Sequence, residues 1–433
     1  MIQAGKARSS LSSSNACGVF WMKALLILSI GFALAWIVSA ILPRPSPGDA
    51  LRYFDESFLE QSSHRAKLSY VATGLEAIAT FLTLYLFVER KMAQASAMKI
   101  SSAEMISPRR AVYVGAVLAV ECALLLFVVQ FPFRLYKGYL LEKAFGLSRL
   151  SFLGWLGEVL KGTLLEMLVY AALGGGAAFL IVRFPGRWQY LLTLVFFVGS
   201  LVITYIYPLV IAPLFDRFVL LEDPVLLEEI RALTQKAGLS VDKVLVMEAS
   251  RKTARTNAYF TGIGASRQVV LYDTLVEAQP IEEVKLVLAH ELGHWKMGHL
   301  VKGIVLSTLF TFAAIMVFSF AFGLTRQGFS APDFERVFLC LILFFVLASY
   351  VTTPISSLVS RKHEIEADMF SLEITCDPKS FTSAMVGLAR ANLSDVCPPP
   401  FIRWFAFSHP TTMERIALAE QFETPSSFTK IDY

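Results

Sequence analysis

The chain has 433 residues, of which 55% are hydrophobic and only 17% charged. Soluble domains carry about 25% charged residues, so this composition excludes an ordinary soluble protein and indicates a membrane protein. The net charge of +4 comes without a lysine- or arginine-rich block, which argues against nucleic acid as a partner. The five cysteines are scattered and form no CxxC pair, so we expect neither a disulfide framework nor a cysteine metal site.

Hydropathy along the chain predicts an N-terminal tail followed by about seven membrane-spanning helices. Residues 1–15 are polar and rich in serine, which indicates a disordered tail, and we place the end of the tail at residue 23. Seven later segments approach the roughly 20 apolar residues that a spanning helix needs. These predicted spans are residues 24–42, 68–88, 111–133, 164–182, 190–211, 304–324 and 337–358.

Three of the predicted spans contain a glutamate, namely Glu76, Glu121 and Glu166. An acidic group within a bilayer is costly, so it usually faces water, a bundle interior or a partner of opposite charge. Pairing with a basic residue such as Lys161 and a functional role are both open from the sequence alone.

Two polar intervals, residues 216–300 and 360–433, are long enough to fold outside the membrane. The first has a helical pattern over residues 224–238. Short runs typical of strands follow at residues 243–247, 258–261 and 268–272, so we expect a small sheet. Two predicted membrane crossings separate the intervals, so both intervals lie on the same side of the membrane. They can therefore form one catalytic domain. The predicted division is a tail (1–23), five membrane helices (24–215), a first catalytic segment (216–300), two membrane helices (301–359) and a second catalytic segment (360–433).

The sequence HELGH at residues 290–294 carries the clearest chemistry. The preceding residues, from Ile281 onward, indicate a helix, in which positions i and i+4 lie on one face. His290 and His294 can therefore bind one zinc ion. Glu291 follows the first ligand directly, where it can act as general base toward the attacking water. Two histidines packed on a helix face are the alternative interpretation of this short pattern.

A catalytic zinc site usually has three protein ligands, so a third one is required. His299 lies about half a turn off the face of His290 in a continuous helix, which suits a polar residue near the membrane rim or a supporting contact. A carboxylate on a later helix is the better candidate. Glu364 and Asp368 are four residues apart, so Glu364 can bind zinc while Asp368 orients a ligand histidine and Glu366 points elsewhere. A solvated charged helix is the alternative.

Several motifs together resemble the type 1 zinc-dependent CAAX prenyl proteases, an integral-membrane gluzincin family. HELGHWKMGH at 290–299 and RKHEIEAD at 361–368 carry most of the resemblance. The sequences YP and IAPLFD at 207–216, NAYF at 257–260, VLYDTL at 270–275, and SHP with ER at 408–415 agree with it. The similarity extends over about residues 207–418, whereas the first 200 residues resemble the family mainly in hydropathy.

The resemblance implies a seven-helix ring around a chamber, closed by a zincin-like α+β catalytic domain. It implies one Zn²⁺ per chain, with Glu364 as third ligand, and a catalytic domain that faces the cytosol. His409 and Arg415 would stabilise the oxyanion that forms when water attacks a peptide carbonyl. Substrate backbone would pair with the strand around Asn257, Ala258 and Tyr259. The bilayer would be the endoplasmic reticulum membrane in a eukaryote and the inner membrane in a bacterium.

These observations predict an integral-membrane zinc metalloendopeptidase. Its expected reaction is CAAX-type removal of C-terminal residues from prenylated proteins, and its alternative is quality-control cleavage of misfolded or stalled membrane proteins. A membrane scaffold or transporter with a structural zinc ion is an alternative of another class. Structural zinc sites are closed by four protein ligands, and the sequence near the motif offers no fourth.

Overall fold

The computed structural model describes residues 2–97, 105–239, 243–322 and 331–422. Five long helices come first: α1 (Ile2–Ile41), α2 (Glu56–Ala97), α3 (Pro108–Leu135), α4 (Phe152–Arg183) and α5 (Trp188–Ile206). The π-helical turns Tyr136–Leu141 and Tyr207–Ile211 continue α3 and α5. The helices α9 (His299–Ala321) and α10 (Ala331–Val351) come after the first polar interval. Within the described residues, seven helical segments are long and apolar enough to cross a bilayer, so the predicted multi-pass architecture is confirmed.

The N-terminal residues differ from the prediction. Helix α1 begins at Ile2, so most of the serine-rich stretch that we expected to be a tail belongs to the helix. No proline occurs before Pro43, and serine and alanine are tolerated within a helix, so nothing in this stretch stops the helix from extending outward from its apolar part.

The membrane helices close a ring in which each packs on the next: α1 on α2, α2 on α3, α3 on α4, α4 on α5, α5 on α9, and α9 on α1. Helix α10 packs against α1, α2 and α3. The helices α3 and α4 cross most closely, because a Cβ atom on Gly115 would lie 2.4 Å from the Cβ of Ala178, and one on Gly174 would lie 2.5 Å from that of Ala119. Small residues at such crossings let two backbones approach within a membrane.

Two of the three intramembrane glutamates are paired, though with other partners than the one we considered. The Lys137 ammonium lies 2.5 Å from Glu76, and the Lys91 ammonium lies 2.9 Å from Glu121. Lys161 pairs instead with Glu158, its neighbour one turn away. Glu166 is exposed on α4. Pairing therefore explains the first two acidic groups.

The polar intervals form a small α+β unit with a four-stranded sheet. Its strands are β1 (Phe218–Leu220), β2 (Val244–Met247), β3 (Ala258–Thr261) and β4 (Gln268–Tyr272), in the order β1-β2-β4-β3. The three predicted strands are confirmed, whereas β1 was missed because it is only three residues long and largely exposed. Strand β3 pairs antiparallel with β4 on one side and is an edge strand on the other.

Further helices complete the unit that holds the site. They are α6 (Pro224–Lys236), α7 (Asp273–Ala278), α8 (Ile281–Lys296), α11 (Thr353–Thr375), α12 (Pro378–Asn392), α13 (Pro400–Ala406) and α14 (Thr412–Gln421), with short 3₁₀ turns between strands. Val284, Leu288 and Leu292 are four residues apart on one face of α8 and are buried in one cluster with residues of α6 and β4. Helix α8 packs on α11, so the two polar intervals meet at this helix pair.

Candidate metal centre

The HELGH sequence occupies the C-terminal half of α8, as predicted. Pro280 precedes the helix. Glu282 and Glu283 lie in its first turn, where negative charges interact favourably with the positive end of the helix dipole and stabilise the helix. A Cβ atom on Gly293 would lie 3.0 Å from the Cα of Ala367. Glycine therefore allows α8 and α11 to cross closely enough for their polar side chains to meet.

Three side chains converge where α8 crosses α11. His290 and His294 come from α8, and Glu364 comes from α11. One candidate ligand atom from each lies within 4.8 Å of the other two. The His290 Nε2 atom is 3.1 Å from the His294 Nε2 atom, and these nitrogens are 3.2 and 3.4 Å from the Glu364 oxygens. The structure thus brings the three residues predicted as ligands together.

A buried carboxylate supports His290 from behind. The Nδ1 atom of His290 lies 2.7 Å from Asp368 Oδ1, and the Asp368 side chain is fully buried. The Nε of Arg415 donates to Asp368 Oδ2 at 2.8 Å, and its Nη2 donates to Oδ1 at 2.5 Å. Arg415 therefore neutralises the carboxylate that orients His290. Arg415 thus reaches the Asp368 carboxylate behind His290 and also lines the cleft.

A second imidazole supports His294, which was the less favoured of the two interpretations of His299 from the sequence. The Nδ1 atoms of His294 and His299 are 2.9 Å apart, and His299 Nε2 lies 2.9 Å from Glu366 Oε2. We had placed His299 off the ligand face by assuming a continuous helix. The helix instead breaks at Gly298, whose φ of 67° is readily adopted only by glycine. The break turns His299 back toward His294, and Glu366 faces His299.

These outer contacts decide which ring nitrogens carry protons. Asp368 accepts a hydrogen bond, so His290 Nδ1 is the donor, and in the neutral ring the Nε2 atom holds a lone pair. Glu366 accepts from His299 Nε2, which leaves His299 Nδ1 to accept from His294 Nδ1. The Nε2 atom of His294 therefore also holds a lone pair. Two nitrogen lone pairs and a carboxylate face one another, and such a donor set fits a bound cation.

The electrostatics where His290, His294 and Glu364 converge are those of a cation site. Glu364 Oε2 is buried and accepts no well-aligned hydrogen bond from the described residues, although His409 Nδ1 lies 2.8 Å away. Burial alone would lower the pKa of His290, but the Asp368 and Glu364 carboxylates outweigh it and raise the pKa to about 9. Burial also raises the pKa of Glu364, yet the surrounding imidazoles hold it well below its usual range. The site therefore favours positive charge.

Glu291 is held between the metal site and the sheet. Its Oε2 atom accepts a hydrogen bond from the backbone N–H of Phe260 on β3 at 3.2 Å. Burial raises the pKa of Glu291, while the neighbouring imidazoles and this N–H act in the opposite direction. The predicted base thus lies at the level of the edge strand, where a paired substrate would run.

A cleft of about 540 Å³ opens onto these groups. Its lining includes the predicted residues Asn257, His290, Glu291, Glu364, His409 and Arg415. The His409 side chain is 60% exposed there, with its Nδ1 atom 2.8 Å from Glu364 Oε2. Ala258 is buried next to the cleft, with its N–H bonded to Asn257 Oδ1 at 2.9 Å. Tyr259 packs on the other face of the sheet, against Met247 and Val270, and does not line the cleft.

Several other polar residues line the cleft and were not singled out from the sequence, and three of them matter for the arguments below. They are Arg65 of α2, Arg255 just before β3, and Asn392 at the end of α12. Each comes from a different region of the chain, and none lies in a motif with a ligand-like spacing. Arg255 and Asn257 are two residues apart, and this proximity to the NAYF sequence was the one local signal available.

This fold and this site define a membrane-embedded metallopeptidase, in which a HExxH helix and a glutamate of a second helix meet at the ends of membrane helices. The chain matches peptidase family M48 over residues 221–423. It matches the family described as CAAX prenyl protease N-terminal, five membrane helices, over residues 56–217. The chain belongs to the CAAX prenyl protease 1 family of membrane metallopeptidases, so the family predicted from the motifs is confirmed.

Relatives and a solved structure agree with this assignment. CAAX prenyl protease 1 of Saccharomyces cerevisiae is 31% identical over 314 residues, which cover 67% of this chain and 68% of that protein. A homolog from Oryza sativa subsp. japonica is 31% identical, with 69% and 71% covered. The crystal structure of S. mikatae Ste24p is similar in fold, with a TM-score of 0.72 and 24% identity, and the match covers 94% of this chain and 97% of that one.

Proposed function

We propose that the protein is a zinc endopeptidase that removes C-terminal residues from prenylated proteins at the membrane. The observation that carries the metal assignment is the convergence of two imidazole lone pairs and a buried carboxylate on one point. The observation that carries the substrate assignment is the similarity to proteins named CAAX prenyl protease 1. Prenylated proteins and the bilayer are therefore the proposed partners.

His290, His294 and Glu364 would hold the metal. Two nitrogens and one carboxylate oxygen are a donor set that catalytic zinc sites use, and three protein ligands leave one position open. The chain offers one such group among the residues that the structure describes, in agreement with one Zn²⁺ per chain. When bound, zinc would polarise the scissile carbonyl and the attacking water.

Glu291 is proposed to move the protons of the reaction. Its carboxylate would take a proton from the attacking water and then donate it to the amine that leaves. Its hydrogen bond from Phe260 N–H fixes the carboxylate beside the edge strand. A raised pKa makes the carboxylate a stronger base, which suits proton abstraction.

His409 is proposed to donate a hydrogen bond to the oxyanion. It lines the cleft, is exposed and lies next to the Glu364 carboxylate. Arg415 is proposed to act through its charge and through Asp368, because its Nε and Nη2 atoms both bond that carboxylate. Donor groups aimed at developing negative charge are commonly the largest catalytic contribution in such sites.

The substrate is proposed to add to the free edge of β3. Edge strands present unpaired backbone groups to which an extended peptide can bond. Asn257 and Ala258 stand at the start of this edge, within or next to the cleft. The Ala258 N–H bonds Asn257 Oδ1 there, and a paired substrate would take the place of that side-chain contact. The position of the site also favours a substrate near the bilayer, since α8 ends two residues before the membrane helix α9 begins. The cytosolic orientation of the catalytic domain stays a prediction.

The products formed from a defined peptide test this proposal. The purified, zinc-loaded protein in liposomes is given a farnesylated peptide with a three-residue C-terminal extension and its unmodified counterpart, and mass spectrometry identifies the fragments. We expect release of the three-residue fragment from the farnesylated peptide at a higher kcat/KM. Cleavage at scattered internal sites, irrespective of farnesylation, would instead favour the quality-control protease.

A further inference from the structure

The outer edge of β3 is closed two positions before the strand begins, at Thr256. The side-chain amide of Asn392 bonds both backbone groups of Thr256: Thr256 N–H donates to Asn392 Oδ1 at 3.1 Å, and Asn392 Nδ2 donates to the Thr256 carbonyl at 3.0 Å. The amide thus takes the place that a peptide group of a paired strand would take. A substrate strand that pairs along β3 cannot continue past this point.

The register of β3 shows how far this closure is from the catalytic base. The carbonyl of Asn257 accepts a hydrogen bond from Tyr272 N–H of β4, so the backbone groups of Asn257 face the sheet. Neighbouring residues of a strand turn to opposite edges, so Ala258 and Phe260 face the free edge, and Phe260 N–H does bond Glu291. An antiparallel substrate that passes Glu291 would therefore run its C-terminal residues toward Ala258 and then meet Asn392.

The closed end of the cleft has an excess of positive charge. The Glu142 carboxylate is shared by two arginines: Arg255 Nε lies 2.9 Å from Oε2, and Arg65 Nη2 lies 2.6 Å from Oε1. The remaining acidic group, Asp395, pairs with Arg44 at 2.8 Å and accepts from Tyr70. Three arginines and two carboxylates leave one positive charge that is not neutralised within the group.

Arg65 is the member of this group that has a donor to spare. Its Nη1 atom donates to the Leu393 carbonyl at 3.5 Å and its Nη2 atom to Glu142, whereas its Nε atom is buried and has no hydrogen-bond partner among the described residues. The side chain is 15% exposed and lines the cleft. Arg255, in contrast, uses its Nε and both Nη atoms on Glu142 and on the Asn392 carbonyl. A buried guanidinium N–H without a partner is costly unless a ligand supplies an acceptor.

We propose that Arg65 binds the C-terminal carboxylate of the substrate at the end of the cleft that Asn392 closes. This inference rests on the proposed function and names how the same site selects its cleavage position. A strand advances about 3.3 Å per residue, so the three residues beyond the scissile bond span about 10 Å. The pairing edge from Phe260 to the closure at Thr256 covers a comparable length. The closed edge and the Arg65 Nε–H without a partner together would make the leaving fragment short and require its free carboxylate.

Peptides that differ only at the C-terminus test the proposal without any mutation. Three farnesylated peptides are compared with the wild-type protein: one with a free carboxylate, the same peptide with a C-terminal amide, and one extended by two residues. The measured quantity is kcat/KM for cleavage after the farnesylated cysteine. A charge-assisted hydrogen bond to arginine is worth roughly a tenfold to 100-fold preference, so the amide and the extended peptide are expected to lose about that factor.

Variants of Arg65 and Asn392 test which residue causes the preference for a free C-terminal carboxylate and which limits the length of the fragment. Arg65→Gln is expected to slow cleavage of the acid and to leave the amide unchanged, so the ratio of acid to amide falls toward one. Asn392→Ala opens the edge and is expected to restore cleavage of the extended peptide. Arg390→Gln is the matched control, because Arg390 also lies on α12 and pairs with Asp55, but does not line the cleft; its ratio stays that of the wild type.

The outcomes distinguish failure of the carboxylate site from failure of the proposed protease function. Equal kcat/KM for acid and amide in the wild-type protein keeps the proposed protease and overturns the carboxylate site. An acid preference that survives in Arg65→Gln overturns the role of Arg65. A wild-type protein that cleaves none of the farnesylated peptides overturns the proposed function, and the inference with it.

Discussion

The two histidines of the proposed metal site are supported in different ways. His290 reaches a carboxylate directly, and that carboxylate is buried and neutralised by Arg415 within the catalytic unit. His294 reaches a carboxylate only through a second imidazole, that of His299. His299 is the first residue of the membrane helix α9, so this support belongs to the membrane region of the protein.

His290 is thus supported by a buried charge pair, whereas His294 is supported by two successive hydrogen bonds that reach the membrane helix α9. Removing a partner from a buried charge pair leaves the other charge unpaired, which is strongly destabilising. On the other side, His294 bonds the neutral ring of His299, and His299 bonds the Glu366 carboxylate, so no full charge contacts the Nδ1 atom of His294 directly. The Glu366 carboxylate also lies 3.8 Å from the exposed Lys362. We therefore expect changes on the His290 side to affect metal affinity and folding together, and changes on the His294 side to affect mainly metal affinity.

The largest effect is expected for Asp368→Asn. The variant keeps an acceptor for His290 but leaves the partly buried Arg415 guanidinium without its counter-charge. We expect the zinc dissociation constant to rise about 100-fold and the free energy of unfolding to fall by about 3 kcal/mol. Chelator competition and chemical unfolding measure the two quantities. Glu228→Gln, at an exposed site on α6, serves as control. An unchanged zinc affinity in Asp368→Asn would show that the Asp368–Arg415 pair does not support metal binding by His290.

His299→Leu should have an intermediate effect. The substitution removes the acceptor for His294 Nδ1 and frees that ring to rotate or change tautomer. Zinc affinity is expected to fall about tenfold, with a smaller loss of stability than in Asp368→Asn. His363→Leu is the matched control, since the His363 ring stacks on His299 at 4.2 Å but bonds neither ligand histidine. Equal losses in both variants would show that packing, rather than the hydrogen bond, matters here.

Glu366→Gln should have the smallest effect of the three. Glutamine can still accept from His299 Nε2, so only the negative charge at the end of the chain is lost. We expect a decrease in zinc affinity of about two- to fivefold, below the range for losing a direct supporting partner. Lys362→Gln is expected to have no measurable effect. A loss in Glu366→Gln as large as in Asp368→Asn would mean that the two sides are equally coupled to the metal.

The sequence predicted the features of the site that lie within single helices. His290 and His294, and likewise Glu364 and Asp368, are four residues apart, and helical geometry alone places each pair on one face. The three main strands were predicted from short β-branched or alternating runs. The membrane helices were predicted from hydropathy, because a bilayer requires long apolar segments.

The remaining features depend on backbone breaks and on contacts between distant regions of the chain. The role of His299 follows from the positive φ of Gly298, which no helical spacing reveals. The closure of β3 by Asn392 joins residues 136 positions apart, and the Arg65–Glu142 contact joins residues 77 apart. No local pattern encodes such contacts, so a single sequence cannot predict them.

Metal content and turnover of the Glu291→Gln variant test the central claim most directly. The three proposed ligands are unchanged in this variant, so elemental analysis should still find about one zinc per chain. Loss of the general base should lower kcat for the farnesylated peptide by about 100- to 10,000-fold. Zinc retained with turnover lost is the predicted result. Turnover at the wild-type rate in the zinc-loaded variant would contradict the account of a metallopeptidase that uses Glu291 as its base.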